Sequence, residues 1–144
     1  MPMLIRRLIA AALALLSCGA VLAAEIAVYK SPTCGCCSKW VSHLEANGFS
    51  VKAYDVQNVN SYKDRYGVPV PLGACHTAVV EGYVIEGHVP AADIKRLLAE
   101  RPKMKGLAVP GMPAGSPGME GPHSETYEVL SFDAAGETNV FARH

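Results

Sequence analysis

Residues 29–40 read YKSPTCGCCSKW and carry three cysteines within four positions, two of them adjacent. Few features restrict a small chain more. Disulfide scaffolds usually spread their cysteines along the chain, and neighbours such as Cys36 and Cys37 rarely close an unstrained bridge with each other. The run therefore reads as a reactive or metal-binding cluster, and the rest of the chain has to decide which.

The first 24 residues, MPMLIRRLIAAALALLSCGAVLAA, place Arg6 and Arg7 before an apolar run and end in small residues. That is the pattern of a secretory signal peptide, short of the roughly 20 predominantly apolar residues a permanent span needs. Cleavage is expected near Ala23 or Ala24, leaving residues 25–144 as one domain. Lipoprotein processing at Cys18 is the lesser alternative, because the bulky Leu16 fits it poorly. No stable membrane insertion is expected after cleavage.

Export implies an oxidising compartment for the four remaining cysteines, Cys34, Cys36, Cys37 and Cys75. Without Arg6 and Arg7, 11 Lys and Arg face 13 Asp and Glu. No basic tract could neutralise several phosphates, so nucleic-acid binding has no support. The leader inflates the 50% hydrophobic content, but enough apolar residues remain for a core.

EIAVYK (25–30) alternates as a strand, with Ile26, Val28 and Lys30 on one face. From Cys36 onward, Cys37, Trp40, Val41 and Leu44 follow the i, i+3, i+4, i+7 stripe of an amphipathic helix that Gly48 stops. FSVKAYDV (49–56) predicts a second strand, and NVNSYKDRYGV a short polar helix ending at Gly67. TAVV and YVIEGH predict a hairpin turning at Glu81-Gly82. Pro90 opens a third helix with Ile94, Leu97 and Leu98 inward, ended by Arg101-Pro102.

The order β-α-β-α-β-β-α is that of a thioredoxin-like fold, with a parallel first pair and a hairpin beside it. KMKGLAVPGMPAGSPGMEGPHSE reads as a Gly/Pro/Met-rich loop, and TYEVLSFDAAGETNVFARH as a C-terminal β-hairpin. Neither an internal repeat nor a second domain is visible.

Cys34 and Cys37 form a C-x-x-C pair at a helix N-terminus, where backbone N–H groups and the helix dipole favour thiolate. Thiol–disulfide exchange is available there, although Cys36 would compete as a partner. The other option is a metal. Cys75, in GACHTAVV, lies at the junction that would face the C-x-x-C loop and would point a fourth sulfur at the other three.

A Cys₄ zinc site favours two separated C-x₂-C knuckles, whereas a C-x-C-C run suits bridging of several soft ions. Soft thiolate and thioether ligands select Cu(I), and Met112 and Met119 could add thioether. Their bland reading is packing of a Pro/Gly-braced loop. Met104 reads as packing, Trp40 and Tyr29 as core and rim, and His43 as a solvated residue. His123 and His144 receive no role.

YKSPTCGCCSKWVSHLEANGFSV, GVPVPLGACHTAVVEGYVIEGHVPAADIKRLLAERP and GLAVPGMPAGSPGME together resemble the small exported CopG-type copper-resistance proteins. The likeness runs from about residue 26 to the end. It is carried by the C-x-C-C, CHTAVV and GMPxGSPGM motifs occurring in order. The resemblance implies a thioredoxin-like domain in which Cys34, Cys36, Cys37 and Cys75 hold a polynuclear copper centre. It also implies a periplasmic role in copper resistance and homeostasis, with copper ions and other periplasmic copper-handling proteins as partners. Interconversion of Cu(I) and Cu(II) comes with the family, so the chain is expected to be a metal-binding protein first and a thiol or copper oxidoreductase second.

His76 follows Cys75, and on an extended backbone its side chain would point the other way, so it stands equally as an exposed or supporting residue and as a ligand. Glu86 and His88 would share one strand face, either as a hydrogen-bonded structural pair or as an auxiliary site, with His88 as the metal-ligand candidate.

Overall fold

The structure, a computed structural model, describes residues 23–144, so the expected leader lies outside the described residues except for its last two positions. The described residues fold into one mixed seven-stranded sheet with three α-helices and a short 3-10 turn at Val70–Leu72. Strand β1 (Glu25–Lys30) buries Ile26, Val28 and Lys30, as its alternation predicts. Helix α1 (Gly35–Ala46) turns its Cys37, Trp40 and Leu44 stripe inward. Strand β2 (Ser50–Asp55) lies parallel to β1 at one edge of the sheet, and helix α2 (Val59–Tyr66) ends on Gly67, at φ 66.

Strands β3 (Thr77–Val80) and β4 (Tyr83–Gly87) form the expected hairpin. Its turn residues Glu81 and Gly82 both have positive φ, 46 and 86, the backbone that matches the twist of flanking strands. Helix α3 (Ala91–Glu100) starts after Pro90 and ends at Arg101, in the left-handed region. Apart from the 3-10 turn at Val70–Leu72, the described strands and helices from β1 to α3 thus follow the β-α-β-α-β-β-α order read from the sequence.

The sheet does not stop at four strands. Its order is β2-β1-β3-β4-β5-β6-β7, where β5 is Gly106–Val109, β6 Glu128–Phe132 and β7 Thr138–Arg143. Strand β5 falls inside the stretch read as loop, and it corrects that reading: it is buried throughout and pairs parallel to β4 and antiparallel to β6. Its four residues are too few to show a period, and Gly106 and Pro110 flank it as punctuation. Gly106 is required by packing, since a Cβ there would sit 1.9 Å from the carbonyl oxygen of Val84. Through β5 the C-terminal hairpin joins the main sheet, with an irregular register between Val129 and Leu130.

Two apolar layers flank the sheet. The larger joins Ile26, Val28, Ile85 and Leu107 to Trp40 and Leu44 of α1 and Ile94 and Leu97 of α3, all fully buried. Each such side chain contributes about 1.5–3 kcal/mol of transfer free energy. The smaller layer gathers Val68, Leu72, Val84, Ala108 and Phe132. Because Val84 and Glu86 share a strand face, Glu86 falls on this second side. Among the described residues, no helix is long and apolar enough to cross a membrane.

Candidate metal centre

Strand β1 delivers the chain to Ser31-Pro32-Thr33, and α1 then begins directly with the cysteine run. Cys34 is the N-cap: its Sγ accepts the N–H of Cys37 at 3.3 Å, occupying one of the helix's free donors. Sulfur takes the place that serine or aspartate usually fills. A disulfide joins Cys34 to Cys37, while Cys36 and Cys75 are free thiols. Cys34 Sγ lies 3.5 Å from Cys36 Sγ, and Cys37 is buried whereas the other three are half-buried.

The chain between α2 and β3 brings Cys75 to this end of the sheet. The sulfurs of Cys34, Cys36, Cys37 and Cys75 all lie within 4.8 Å of one another. Of the remaining candidates, Met112 reaches the cluster, with Sδ 3.9 Å from Cys36 Sγ, and is itself half exposed. Met119 is held through its backbone, which bonds to Gly115 and Ser116. His88 reaches the cluster most closely, with Nε2 3.0 Å from Cys75 Sγ.

Two readings of the strand faces need correction. His76 does not point away from Cys75. It is fully buried, its Nδ1 lies 3.4 Å from Cys75 Sγ, and its ring lies 4.3 Å from that of Trp40. Strand alternation fails here because β3 starts only at Thr77. Nor do Glu86 and His88 share a face. Gly87 sits between them at φ 73, and a Cβ there would meet Ala74 Cβ and the Val109 carbonyl oxygen, each at 2.7 Å. The turn sends His88 towards Cys75 and leaves Glu86 on the opposite side, bound to Lys63.

The imidazoles have defined surroundings. His88 Nδ1 donates to the carbonyl oxygen of Pro117 at 2.7 Å, which leaves the Nε2 lone pair facing Cys75. Burial lowers the pKa of His88, partly opposed by that carbonyl. Burial pushes His76 down to about 3, so its ring stays neutral, and its Nε2 is a buried atom without a hydrogen-bond partner. Cys75 is pushed up to about 12, first by burial and then by the neighbouring Cys36. An unoccupied centre therefore keeps Cys75 as a thiol, and a cation that bound there would have to displace its proton.

The Gly/Pro/Met loop packs over this centre. Ser116, Pro117 and Gly118 are buried, and Glu120 holds the Gly118 N–H at 3.0 Å from both carboxylate oxygens. Four cysteine sulfurs beside the oriented imidazole of His88 and the thioether of Met112 form a donor set suited to a soft cation. Two further groups have contacts that the sequence pattern does not reveal. His43 is not simply solvated, because its Nε2 accepts the Ala91 N–H at 3.0 Å. His144, which the sequence leaves without a role, bonds through Nε2 to Asp93 at 2.7 Å.

Residues 72–119 match a family model described as "Protein of unknown function, DUF411". No curated protein matches the chain. Two solved structures are similar to it. The one titled "Copper resistance protein copG- Form 2" superposes with a TM-score of 0.81 at 46% identity, covering 85% of this chain and 98% of that one. The one titled "Copper resistance protein copG- Form 1" gives 0.79 at 47% identity, covering 83% and 96%.

Proposed function

The chain belongs to the copper resistance protein CopG family, and from that premise we propose that it is a periplasmic protein that holds Cu(I) on Cys34, Cys36, Cys37 and Cys75 for copper tolerance. The observation that carries the proposal is the gathering of all four sulfurs within 4.8 Å. Copper is the cargo, and several ions are expected because a C-x-C-C run favours shared thiolates over one tetrahedral ion. His88 and Met112 join the ligand set on their distances to Cys75 and Cys36. Met119 stands as a further thioether candidate on the sequence pattern, with its backbone held to Gly115 and Ser116. Export rests on the leader in the sequence, and other periplasmic copper-handling proteins are the expected donors or acceptors.

In fold terms the domain reads as a thioredoxin-like unit, β1 to α3, extended by three strands. The order β2-β1-β3-β4 with β3 antiparallel to both neighbours supports that reading.

Four thiolates become available only after the Cys34–Cys37 bridge accepts two electrons and two protons from an external thiol or phosphine. The test follows from this: reduce the protein anaerobically, add Cu(I), and measure copper per chain. Less than about one copper per chain, or no loss on Cys34→Ser, Cys36→Ser or Cys75→Ser, ends the proposal.

One observation favours a second reading. The bridge sits at the N-cap of α1, where Cys37 N–H donates to Cys34 Sγ and would stabilise a thiolate. A thiol–disulfide or copper oxidoreductase built on that pair is the alternative. Failure of the metal-free protein to exchange with a disulfide substrate removes the disulfide version.

A further inference from the structure

Behind Cys75, on the side away from α1, lies a charged group that the sulfur chemistry does not use. Glu86 is fully buried in β4, and three donors meet its two oxygens. The Lys63 ammonium on α2 lies 2.5 Å from Oε1, and the backbone N–H of Ala74 2.7 Å from the same atom. The hydroxyl of Thr77 donates to Oε2 at 2.6 Å, and Lys63 also donates to that hydroxyl at 3.0 Å. Burial pushes the Glu86 carboxyl up, and the three donors pull it back towards the charged form that can accept from all of them.

The spacing of these partners is what matters. Ala74 immediately precedes Cys75, and Thr77 follows His76. One carboxylate therefore grips the chain on both sides of the Cys75-His76 dipeptide. A third tie comes from Gly87, whose N–H donates to the His76 carbonyl at 3.2 Å.

The 74–76 segment belongs to no strand or helix, so these bonds hold its backbone, while His88 Nε2 and His76 Nδ1 meet the Cys75 sulfur itself. A buried ion pair is a poor way to gain stability, because desolvation offsets much of the Coulomb attraction. What this pair supplies is geometry.

We propose that Glu86 and Lys63 are positioning residues for Cys75: Glu86 clamps the 74–77 segment from both ends, Lys63 holds the carboxylate in place, and together they keep the Cys75 sulfur facing the other three. The consequence for copper rests on the ligand role proposed above. The clamp itself does not, and it can be read without metal.

The full chain, metal-free and with its Cys34–Cys37 bridge intact, is labelled with iodoacetamide, and the peptides carrying Cys75 and Cys36 are followed by mass spectrometry. Loss of the clamp frees the segment to open, so Cys75 should label about tenfold faster in Glu86→Gln and in Lys63→Met, as expected when a buried hydrogen-bond network loses one member. Cys36 should change by less than about twofold, because it is anchored by α1 instead.

If either single variant folds poorly, the double variant Lys63→Met/Glu86→Leu decides. It replaces the pair with apolar groups and can match the wild type in stability, yet still lacks the acceptor for Ala74. Fast Cys75 labelling in this stable double variant is the expected result, and a purely structural pair would not produce it. Unchanged Cys75 labelling there, or equal acceleration at Cys36 and Cys75, overturns the proposal. Titration of separate samples of these proteins, reduced first, with Cu(I) against a chelator separates the two ideas: a wild type that retains no copper sinks the ligand role, while the labelling rates still decide for or against the clamp.

Discussion

The Sγ of Cys75 and the Nε2 of His88 lie 3.0 Å apart, although one precedes β3 and the other follows β4. The β3–β4 hairpin closes them together, and the Pro117 carbonyl fixes the imidazole so that an acceptor nitrogen, not an N–H, meets the sulfur. Replacing His88 by alanine removes this nitrogen and leaves the Pro117 carbonyl without its donor. Copper retention against a Cu(I) chelator should fall by about 10–100-fold, the usual cost of disturbing a metal site at this level. Retention equal to the wild type would remove His88 from the ligand set.

Cys36 separates the two functional readings. Its thiol is free and lies beside both Cys34 and Met112, yet it takes no part in the Cys34–Cys37 bridge. In Cys36→Ser the bridge should form as before and any dithiol exchange should persist or improve. Copper bound per chain after reduction should collapse, because a shared thiolate is lost from a polynuclear centre. Full copper loading in this variant would instead place the chemistry on the C-x-x-C pair.

The parts of this molecule legible in the sequence are those where a local period sets the structure. The Cys37, Trp40 and Leu44 stripe, the Glu81-Gly82 turn and the Arg101 helix end all depend on nearby residues, and all appear where the pattern puts them. The cysteines are legible because sulfur at that spacing has few uses. Strand β5 is hidden because four residues between Gly106 and Pro110 cannot display alternation, and its burial comes from partners on β4 and β6. His76 and Glu86 mislead for one shared reason. Alternation does not extend through residues 74–76, where there is no strand, or across Gly87, where positive φ breaks it. A glycine next to a histidine at a strand end is the one local signal of the break.

His43 gives the domain an acid-sensitive contact away from the sulfurs. Burial lowers its pKa below the usual value, opposed in part by Glu120, and its Nε2 accepts the Ala91 N–H at the start of α3. Neutral imidazole can accept that bond, whereas imidazolium cannot. A group with a lowered folded-state pKa contributes stability that is present above its unfolded pKa of 6.5 and lost as pH falls below it. Unfolding by urea should therefore show a midpoint that drops between about pH 7 and pH 5. In His43→Gln, which keeps an acceptor without a titrating ring, that drop should be smaller. An identical pH profile in the two proteins would show that the contact carries no linkage.

The loop over the centre depends on a glycine. Gly118 has φ 92, and a Cβ built there would sit 2.7 Å from the Cys36 carbonyl oxygen, 3.1 Å from His88 Nδ1 and 3.1 Å from the Trp40 nitrogen. Two of these neighbours are backbone of α1, which cannot move aside cheaply, so Gly118→Ala must lift the loop. Lifting it pulls the Pro117 carbonyl from His88 and carries Met112 away from Cys36. The cost should be about 1–3 kcal/mol, combining left-handed backbone strain with the lost packing. Gly35→Ala is the matched control, since its added methyl meets nothing within 4 Å and its φ is ordinary. Chemical denaturation of both variants, with the His88 Nδ1 proton followed by NMR, checks the account. A stable Gly118→Ala protein with an unchanged His88 signal would mean that the loop's seat on α1 is looser than these distances require.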